Sequence, residues 1–148
     1  MDTYEAGLVQ RIEEYKRRLC SIFIPPDPSP ADLRALESEL DLLYTNLIYD
    51  YTEVRTRFED VQRSIEIVLK GTYEGKNDKE RTANAYQAAR AYPQTLDTGE
   101  LIHINLFELE SRLRRQYNVL YDTVWAIKSK SDRIITLRST LNIEKDLI

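Results

Sequence analysis

The sequence predicts an all-α protein, built as a long antiparallel helical hairpin or coiled coil with an extra N-terminal helix and a short alanine-rich connecting helix. Apolar residues recur every three or four positions over two long stretches, which is the pattern of helices with one buried face. Only 4 glycines and 5 prolines interrupt the 148 residues, and 31% of the residues are charged. This composition favours long helices over a compact sheet protein, and the length fits one helical domain, 1–148.

The first predicted helix spans about residues 3–22 and is followed by a proline-rich break at 25–30. Each proline removes a backbone donor and biases the preceding residue towards an extended conformation. Ser29 can cap the next helix, and Pro30 suits its first position, where the missing N–H has no partner in any case. The break therefore separates two helices.

The second predicted helix is long, about residues 30–70. Its apolar stripe alternates steps of three and four, which is typical of a coiled-coil seam. The leucines of this seam are Leu33, Leu36, Leu40, Leu43 and Leu47. The next residue of the seam, Tyr51, comes four positions after Leu47, and this repeated step of four predicts a stutter. So long a stripe needs a partner helix to bury it.

A hinge at about 71–77 separates this helix from a short one at about 78–91. Asn77 or Asp78 can cap the short helix, and Glu80 lies three residues after Asn77, as in a capping box. The short helix is rich in alanine, whose small side chain lets another backbone approach closely. The hinge thus connects two helical segments.

The last predicted helix spans about residues 98–141, with Asp97 or Thr98 as its cap and Pro93 closing the segment before it. The sole histidine, His103, would lie on the surface of this helix. Catalysis centred on histidine needs an oriented partner, and no second histidine or cysteine motif lies nearby. The histidine therefore predicts no active site.

The chemistry-bearing residues predict a protein that is not an enzyme. A single cysteine, Cys20, excludes an internal disulfide framework and a multi-cysteine zinc site, and it suits a reducing compartment. Neighbouring carboxylates such as Glu13 and Glu14 are best explained as solvated helix faces. No apolar run reaches the roughly 20 residues of a membrane span. We predict a cytoplasmic protein (host cytoplasm, if phage-encoded) that needs no cofactor, holds no metal and binds no membrane.

Charge is unevenly distributed along the chain, although the net value is only -4. Residues 31–70 carry nine acidic and five basic side chains, whereas residues 111–138 carry seven basic and two acidic ones. The two long helices are therefore of opposite sign. The acidic net charge argues mildly against a dedicated nucleic-acid-binding protein, because binding depends on where the basic residues cluster.

The hinge region reads Tyr73-Glu74-Gly75-Lys76-Asn77-Asp78-Lys79-Glu80-Arg81. It resembles small phage helical proteins with a Gly-Lys-Asn-x-x-Glu-Arg motif and, more loosely, phage recombination mediators of the UvsY type. In the latter a helix ends in a tyrosine–glycine–basic loop, and a second helical region drives oligomerisation. Tyr73, Gly75 and Lys76 match that loop, and Lys70 is the basic residue before it.

The resemblance implies a non-catalytic accessory protein of phage DNA recombination or replication. Such a homo-oligomer binds single-stranded DNA and helps a recombinase displace a single-strand-binding protein. Stacking on aromatic rings combined with phosphate contacts is how single strands are commonly held. The residues predicted to bind DNA are Lys70, Tyr73, Lys76, Lys79 and Arg81, extended by Lys128 and Lys130 on the basic helix.

Two other interpretations stay open. The first is a coiled-coil interaction or assembly factor that binds another protein and no DNA, with the acidic helix docking a basic surface. The second is a structural homo-oligomer without a ligand. Oligonucleotide titration at two salt concentrations separates DNA binding from both alternatives, because phosphate contacts weaken steeply with salt.

Overall fold

A computed structural model describes residues 2–147, so the two end residues of the predicted domain lie outside it. Within the described residues the chain forms four helices and a two-stranded sheet, and this mainly helical content agrees with the predicted all-α class. The elements are α1 (Thr3–Ser21), α2 (Pro30–Leu69), α3 (Asp78–Arg90), β1 (Tyr92–Thr95), β2 (Leu101–Ile104) and α4 (Leu106–Leu147). No helix among these residues is both long enough and apolar enough to cross a lipid bilayer.

The chain divides into two compact units. The first unit comprises Met1–Thr52 and Asn118–Ile148, and the second comprises Glu53–Tyr117. The long helices α2 and α4 each contribute residues to both units, whereas α1 belongs to the first unit alone. The second unit contains α3 and the sheet.

The core of the first unit is made by one apolar stripe from each of its three helices. Full burial of an aliphatic side chain of this size contributes about 1.5–3 kcal/mol relative to an exposed one, so these stripes supply most of the driving force. The fully or nearly fully buried residues are Leu8 and Ile12 of α1, Leu33, Leu40, Leu43 and Leu47 of α2, and Leu120, Val124, Ile127 and Ile134 of α4.

The buried stripe of α2 continues from Leu47 to Asp50, not to Tyr51. Asp50 is only 6% exposed and Tyr51 is half-buried, so the step is three and the next buried residue, Val54, follows four later. The repeated step of four predicted at Tyr51 therefore falls one position later in the stripe, from Asp50 through Val54 to the half-buried Phe58. A charged side chain occupies a seam position that the apolar pattern passes over.

The starts of α1 and α2 follow their local capping chemistry. The side chain of Asp2 accepts a hydrogen bond from the N–H of Glu5 at 2.8 Å. At α2 the capping is reciprocal, because the Ser29 hydroxyl accepts from the Asp32 N–H at 3.1 Å and the Asp32 carboxylate accepts from the Ser29 N–H at 2.9 Å. The predicted cap at Ser29, with Pro30 as the first helical residue, is confirmed.

In the second unit the alanines of α3 are partly core residues. Ala85 and Ala89, one helical turn apart, are 4% and 0% exposed. The Tyr86 ring stacks on that of Phe107 with centroids 5.7 Å apart, and this contact connects α3 to α4. Ala85 and Ala89 therefore form the buried face of α3.

The last helix does not begin at residue 98, and this prediction is wrong. α4 begins at Leu106, where the Asn105 side chain accepts a hydrogen bond from the Phe107 N–H at 3.0 Å. Residues 92–104 form a β-hairpin, so His103 lies on strand β2 and not on a helix. The predicted caps Asp97 and Thr98 lie in the hairpin loop.

The hairpin loop explains why the cap prediction failed. Gly99 has a φ of 84°, a left-handed conformation that favours glycine. The Gly99 N–H donates to the Leu96 carbonyl and the Leu96 N–H donates to the Glu100 carbonyl, both at 2.8 Å. This is a three-residue loop ending in a left-handed glycine. Aspartate and threonine favour both helix caps and turns, and Gly99 decides for the turn.

Candidate functional site

The predicted DNA-binding loop is held by bonds within the second unit. The Tyr73 hydroxyl donates to the Val68 carbonyl at 2.7 Å, which satisfies a carbonyl in the last turn of α2. The Tyr73 ring also packs closely over Gly71, where an added Cβ would lie 3.1 Å from a ring carbon. Tyr73 is therefore a half-buried capping residue as well as a loop aromatic.

Asn77 caps the start of α3 as the sequence predicts, whereas Glu80 bonds to the residue before the cap and does not complete a capping box. The Asn77 side chain accepts a hydrogen bond from the Glu80 N–H at 2.9 Å, and the Glu80 carboxylate accepts from the Lys76 N–H at 2.9 Å. The Asn84 side chain donates to the Glu74 carbonyl at 2.6 Å, ten residues back. These contacts fix the loop backbone against the first turns of α3.

Two of the predicted cations near this loop are already engaged. Arg81 donates to the Gly75 carbonyl at 3.1 Å and forms an ion pair with Asp78. The Lys70 ammonium lies 2.6 Å from the Glu66 carboxylate, although both side chains are mostly exposed and such a pair contributes little. Their positive charge is thus partly neutralised.

The other two predicted cations, Lys76 in the loop and Lys79 in the first turn of α3, are exposed. Their ammonium groups make no ion pair within residues 2–147. Three acidic residues, Glu74, Asp78 and Glu80, lie in the same stretch of sequence. The loop is consequently close to charge balance, with two cations free to bind a ligand.

The remaining predicted site residues, Lys128 and Lys130, belong to the first unit. The half-buried Lys130 ammonium donates to the Leu19 and Ile22 carbonyls at 3.0 and 2.6 Å. It therefore caps the C-terminus of α1, where the helix dipole also favours a cation. Lys128 is exposed, and its ammonium lies 5.2 Å from the ring centroid of Trp125. Of the two, only Lys128 offers its charge to solvent.

Two exposed aromatic rings lie near Lys128 on α4, and the sequence-based predictions did not include them. We define the α4 patch as Tyr121, Trp125 and Lys128. Trp125 is 51% exposed and Tyr121 is 41% exposed, with ring centroids 6.1 Å apart in an edge-on arrangement. The two rings lie four residues apart on one face of the helix. The sequence does contain a signal for this patch, because both aromatic residues lie outside the buried apolar stripe that includes Leu120 and Val124.

A second cluster that the sequence did not reveal is centred on Asp50 in the first unit. Arg11 donates to both carboxylate oxygens of Asp50, from Nε and Nη2, each at 2.8 Å. The Tyr4 hydroxyl donates to the carboxylate at 2.8 Å and the Tyr15 hydroxyl at 2.5 Å. Tyr15 also lies 3.2 Å from the Asn46 carbonyl. Three side chains of α1 thus converge on one carboxylate of α2.

The pKa values of the cluster favour the protonation states that these hydrogen bonds require. Burial raises the pKa of Asp50, but hydrogen bonds from Arg11, Tyr15 and Tyr4 outweigh it and leave this pKa below its usual value. Burial, and then the hydrogen bond to Asp50, raises the pKa of Tyr15 to about 12. The same two causes raise the pKa of Tyr4. The carboxylate is charged and both phenols are neutral over a wide pH range, as in a structural anchor between α1 and α2.

A shallow groove of about 290 Å³ lies where the end of α1 meets α4. Its walls include the exposed Phe23 and Cys20 and the cations Lys130 and Arg133. Among the described residues no three histidine, cysteine, aspartate or glutamate side chains are grouped so as to hold a metal ion.

Comparison with protein-family models, with curated proteins and with solved structures found no match to the chain.

Proposed function

We propose that this chain is a non-catalytic helical interaction protein that binds a protein partner through the α4 patch. The observation that carries the proposal is the half-exposed Trp125, flanked by Tyr121 and lying beneath Lys128. Tryptophan and tyrosine are enriched among the residues that dominate protein interfaces. A cation over the ring is already positioned to bond at the rim of such an interface.

Charge supports a protein partner over a nucleic acid. The chain carries a net charge of -4, which repels phosphate except where cations cluster. Asp122 and Asp132 are both exposed and lie close in sequence to Tyr121 and Lys128. Mixed charge around an aromatic centre suits the polar rim of a protein–protein interface.

Single-stranded DNA is the second candidate ligand. It is favoured by two exposed rings beside the exposed Lys128, because bases stack on such rings while cations contact phosphate. The free ammonium groups of Lys76, in the loop that resembles the UvsY-type mediators, and of Lys79, in the first turn of α3, add two further cations. In this alternative the chain is an oligomeric phage recombination accessory that acts with a recombinase or a single-strand-binding protein.

The scaffold that we propose for either function is an antiparallel pairing of α2 with α4. Within the first unit, Arg138 of α4 forms an ion pair with Glu37 of α2. Within the second unit, the Phe58 and Tyr117 rings stack with centroids 5.7 Å apart, and the Arg114 guanidinium lies 5.8 Å from the Phe58 centroid. These contacts support a hairpin in which the acidic helix lies against the basic one.

Trp125 is the chain's single tryptophan, so its fluorescence reports directly on the α4 patch. We would immobilise the wild-type chain, Trp125→Ala and Tyr49→Ala, and compare which proteins each retains from an extract of the source cells. Tyr49 is a matched control, because it is a 75% exposed aromatic residue on α2. We expect a stoichiometric protein retained by wild type and Tyr49→Ala but not by Trp125→Ala. That protein, once purified, should shift the Trp125 emission to shorter wavelength as the ring leaves water.

Loss of a central aromatic contact costs about 2 kcal/mol or more, so Trp125→Ala should weaken binding of the purified partner by about 30-fold or more. Equal binding by Trp125→Ala would refute the proposal. Saturable, salt-dependent quenching of Trp125 by an oligonucleotide, with no protein retained, would instead establish the DNA-binding alternative.

A further inference from the structure

The two edges of the β-hairpin differ in a way that determines what can bind there. The register pairs Tyr92 with Ile104, Pro93 with His103, Gln94 with Ile102 and Thr95 with Leu101. Opposite residues in an antiparallel pair alternate between hydrogen-bonded and non-bonded pairs. The bond from the Leu96 N–H to the Glu100 carbonyl at 2.8 Å sets the phase of this alternation.

Counting from that bond, Gln94–Ile102 and Tyr92–Ile104 are the hydrogen-bonded pairs. The other two pairs, Pro93–His103 and Thr95–Leu101, direct their backbone groups away from the partner strand. Pro93 fits this phase, since it has no N–H to offer and occupies a non-bonded pair. The free edge of β1 therefore lacks a donor at Pro93. The free edge of β2 presents the N–H and C=O of both Leu101 and His103.

Among the described residues, no hydrogen bond uses the outward backbone groups of β2. No hydrogen bond of the second unit's loops or caps uses the backbone of Leu101 or His103, and these residues make none through their side chains. Both residues are exposed, with Leu101 59% exposed, whereas Ile102 and Ile104 on the other face are half-buried. An edge with two free donor–acceptor pairs is a template for another strand.

We propose that the β2 edge binds the β2 edge of a second copy of this chain. This inference goes beyond the proposed function, and no step of it depends on the α4 patch. With Ile102 placed opposite the partner's Ile102, Leu101 of each chain lies opposite His103 of the other chain. The symmetric arrangement therefore contains two such pairs. Each such pair exchanges two backbone hydrogen bonds, so the two edges match with four bonds.

The side chains of β2 favour a copy of itself as the occupant. The strand reads Leu-Ile-His-Ile and carries no acid, lysine or arginine, so a symmetric pair places no like charges opposite each other. Leu101 is covered on pairing, because it lies beside the partner's strand. The pair would complete a four-stranded sheet whose outer edges are both β1, each blocked at Pro93.

The short strand limits the strength of this association. A pair of four-residue strands buries less than the roughly 1,200 Å² of a stable interface, so the dimer is weak and depends on concentration. Sedimentation velocity from about 10 µM to about 1 mM covers the range expected for such contacts. Wild type should move from monomer towards dimer within it.

Two substitutions on β2 and two matched ones on β1 test the proposal. His103→Pro removes an outward N–H that the hairpin itself does not use, and Leu101→Lys adds a charge at the edge while keeping an exposed side chain. Thr95→Pro and Thr95→Lys make the same changes on the blocked strand. We expect both β2 variants to weaken dimerisation at least tenfold and both Thr95 variants to leave it unchanged, with far-UV circular dichroism equal throughout.

A wild-type chain that stays monomeric over the whole range would overturn the proposal. So would a dimer that survives Leu101→Lys, which identifies another self-contact, or one that Thr95→Lys weakens as much as Leu101→Lys. An extended peptide from another protein that binds the β2 edge of a monomeric chain would identify a different occupant and would equally overturn it.

Discussion

Replacing Asp50 with asparagine tests whether the cluster between α1 and α2 is a structural anchor. The carboxylate accepts four hydrogen bonds at 2.5–2.8 Å, two from Arg11 and one each from Tyr4 and Tyr15. An amide of the same shape has only one acceptor oxygen, and its NH₂ group would face donors. Asp50→Asn should therefore destabilise the fold without creating a cavity.

The size of the effect follows from the burial of each partner. Breaking a buried ion pair costs about 3–5 kcal/mol. The Arg11 side chain is 41% exposed, so water can replace part of what it loses, and Tyr15 can still donate towards the Asn46 carbonyl at 3.2 Å. We expect a loss of about 2–3 kcal/mol in the free energy of unfolding. At about 2–4 °C per kcal/mol, Tm should fall by roughly 4–12 °C.

Urea unfolding followed by circular dichroism at neutral pH measures this loss. Asp41→Asn is the matched control, because it makes the same substitution at an exposed position of α2 and should change stability by less than about 0.5 kcal/mol. A loss below about 1 kcal/mol for Asp50→Asn, or one no larger than that of Asp41→Asn, would refute the anchor.

The pH dependence gives the same test a second readout. The pKa of Asp50 is lowered in the folded chain, so its contribution is present above the unfolded value of about 3.9 and is lost as pH falls through the folded value. The pKa of Tyr15 is raised to about 12, so its contribution is complete below about 10 and is lost as pH rises through 12. Asp50→Asn should flatten the acid limb of the stability curve, and an unchanged acid limb would contradict the reasoning.

Three further substitutions test the helix ends and the hairpin. Lys130→Met should cost about 1–2 kcal/mol and speed amide exchange at the end of α1, because the Ile22 carbonyl loses the Lys130 donor and the Leu19 carbonyl keeps only the Ile22 N–H, whereas Lys128→Met should cost little. Asn77→Ala should cost about 1 kcal/mol in urea unfolding through loss of the α3 cap, and no change would show that Glu80 suffices alone. Gly99→Ala should cost about 1–2 kcal/mol at a φ of 84°, with Gly99→Asn milder, and equal stability of all three chains would mean that the loop relaxes.

The starts of α2 and α3 were predictable from the sequence because capping is local chemistry. Ser29 and Asn77 lie within three residues of the groups they bond, so their roles can be read without knowing the fold. The hairpin was not predictable in this way. Asp97 and Thr98 suit a cap and a turn equally well, and only the left-handed Gly99 with the alternating strand after it separates the two.

The functional residues were harder to predict, because the predictions relied on basic side chains near the loop and on α4. Lys130 looked like a DNA contact, yet it caps α1 through residues more than 100 positions away in sequence. Asp50 was not predicted as a buried residue, because the seam was identified from apolar residues alone. Its partners Tyr4, Arg11 and Tyr15 share one face of α1, a spacing that is visible once a polar seam position is allowed.

Pro93 affects more than the local hydrogen bonding of the hairpin. A sheet that offers two good edges can keep adding strands, and this is the geometry from which fibres grow. If the β2 edges of two chains pair as proposed, both outer edges of the resulting sheet are β1 strands, each of which lacks a donor at Pro93. In the dimer proposed above, Pro93 would thus disfavour further growth of the sheet by edge-to-edge pairing.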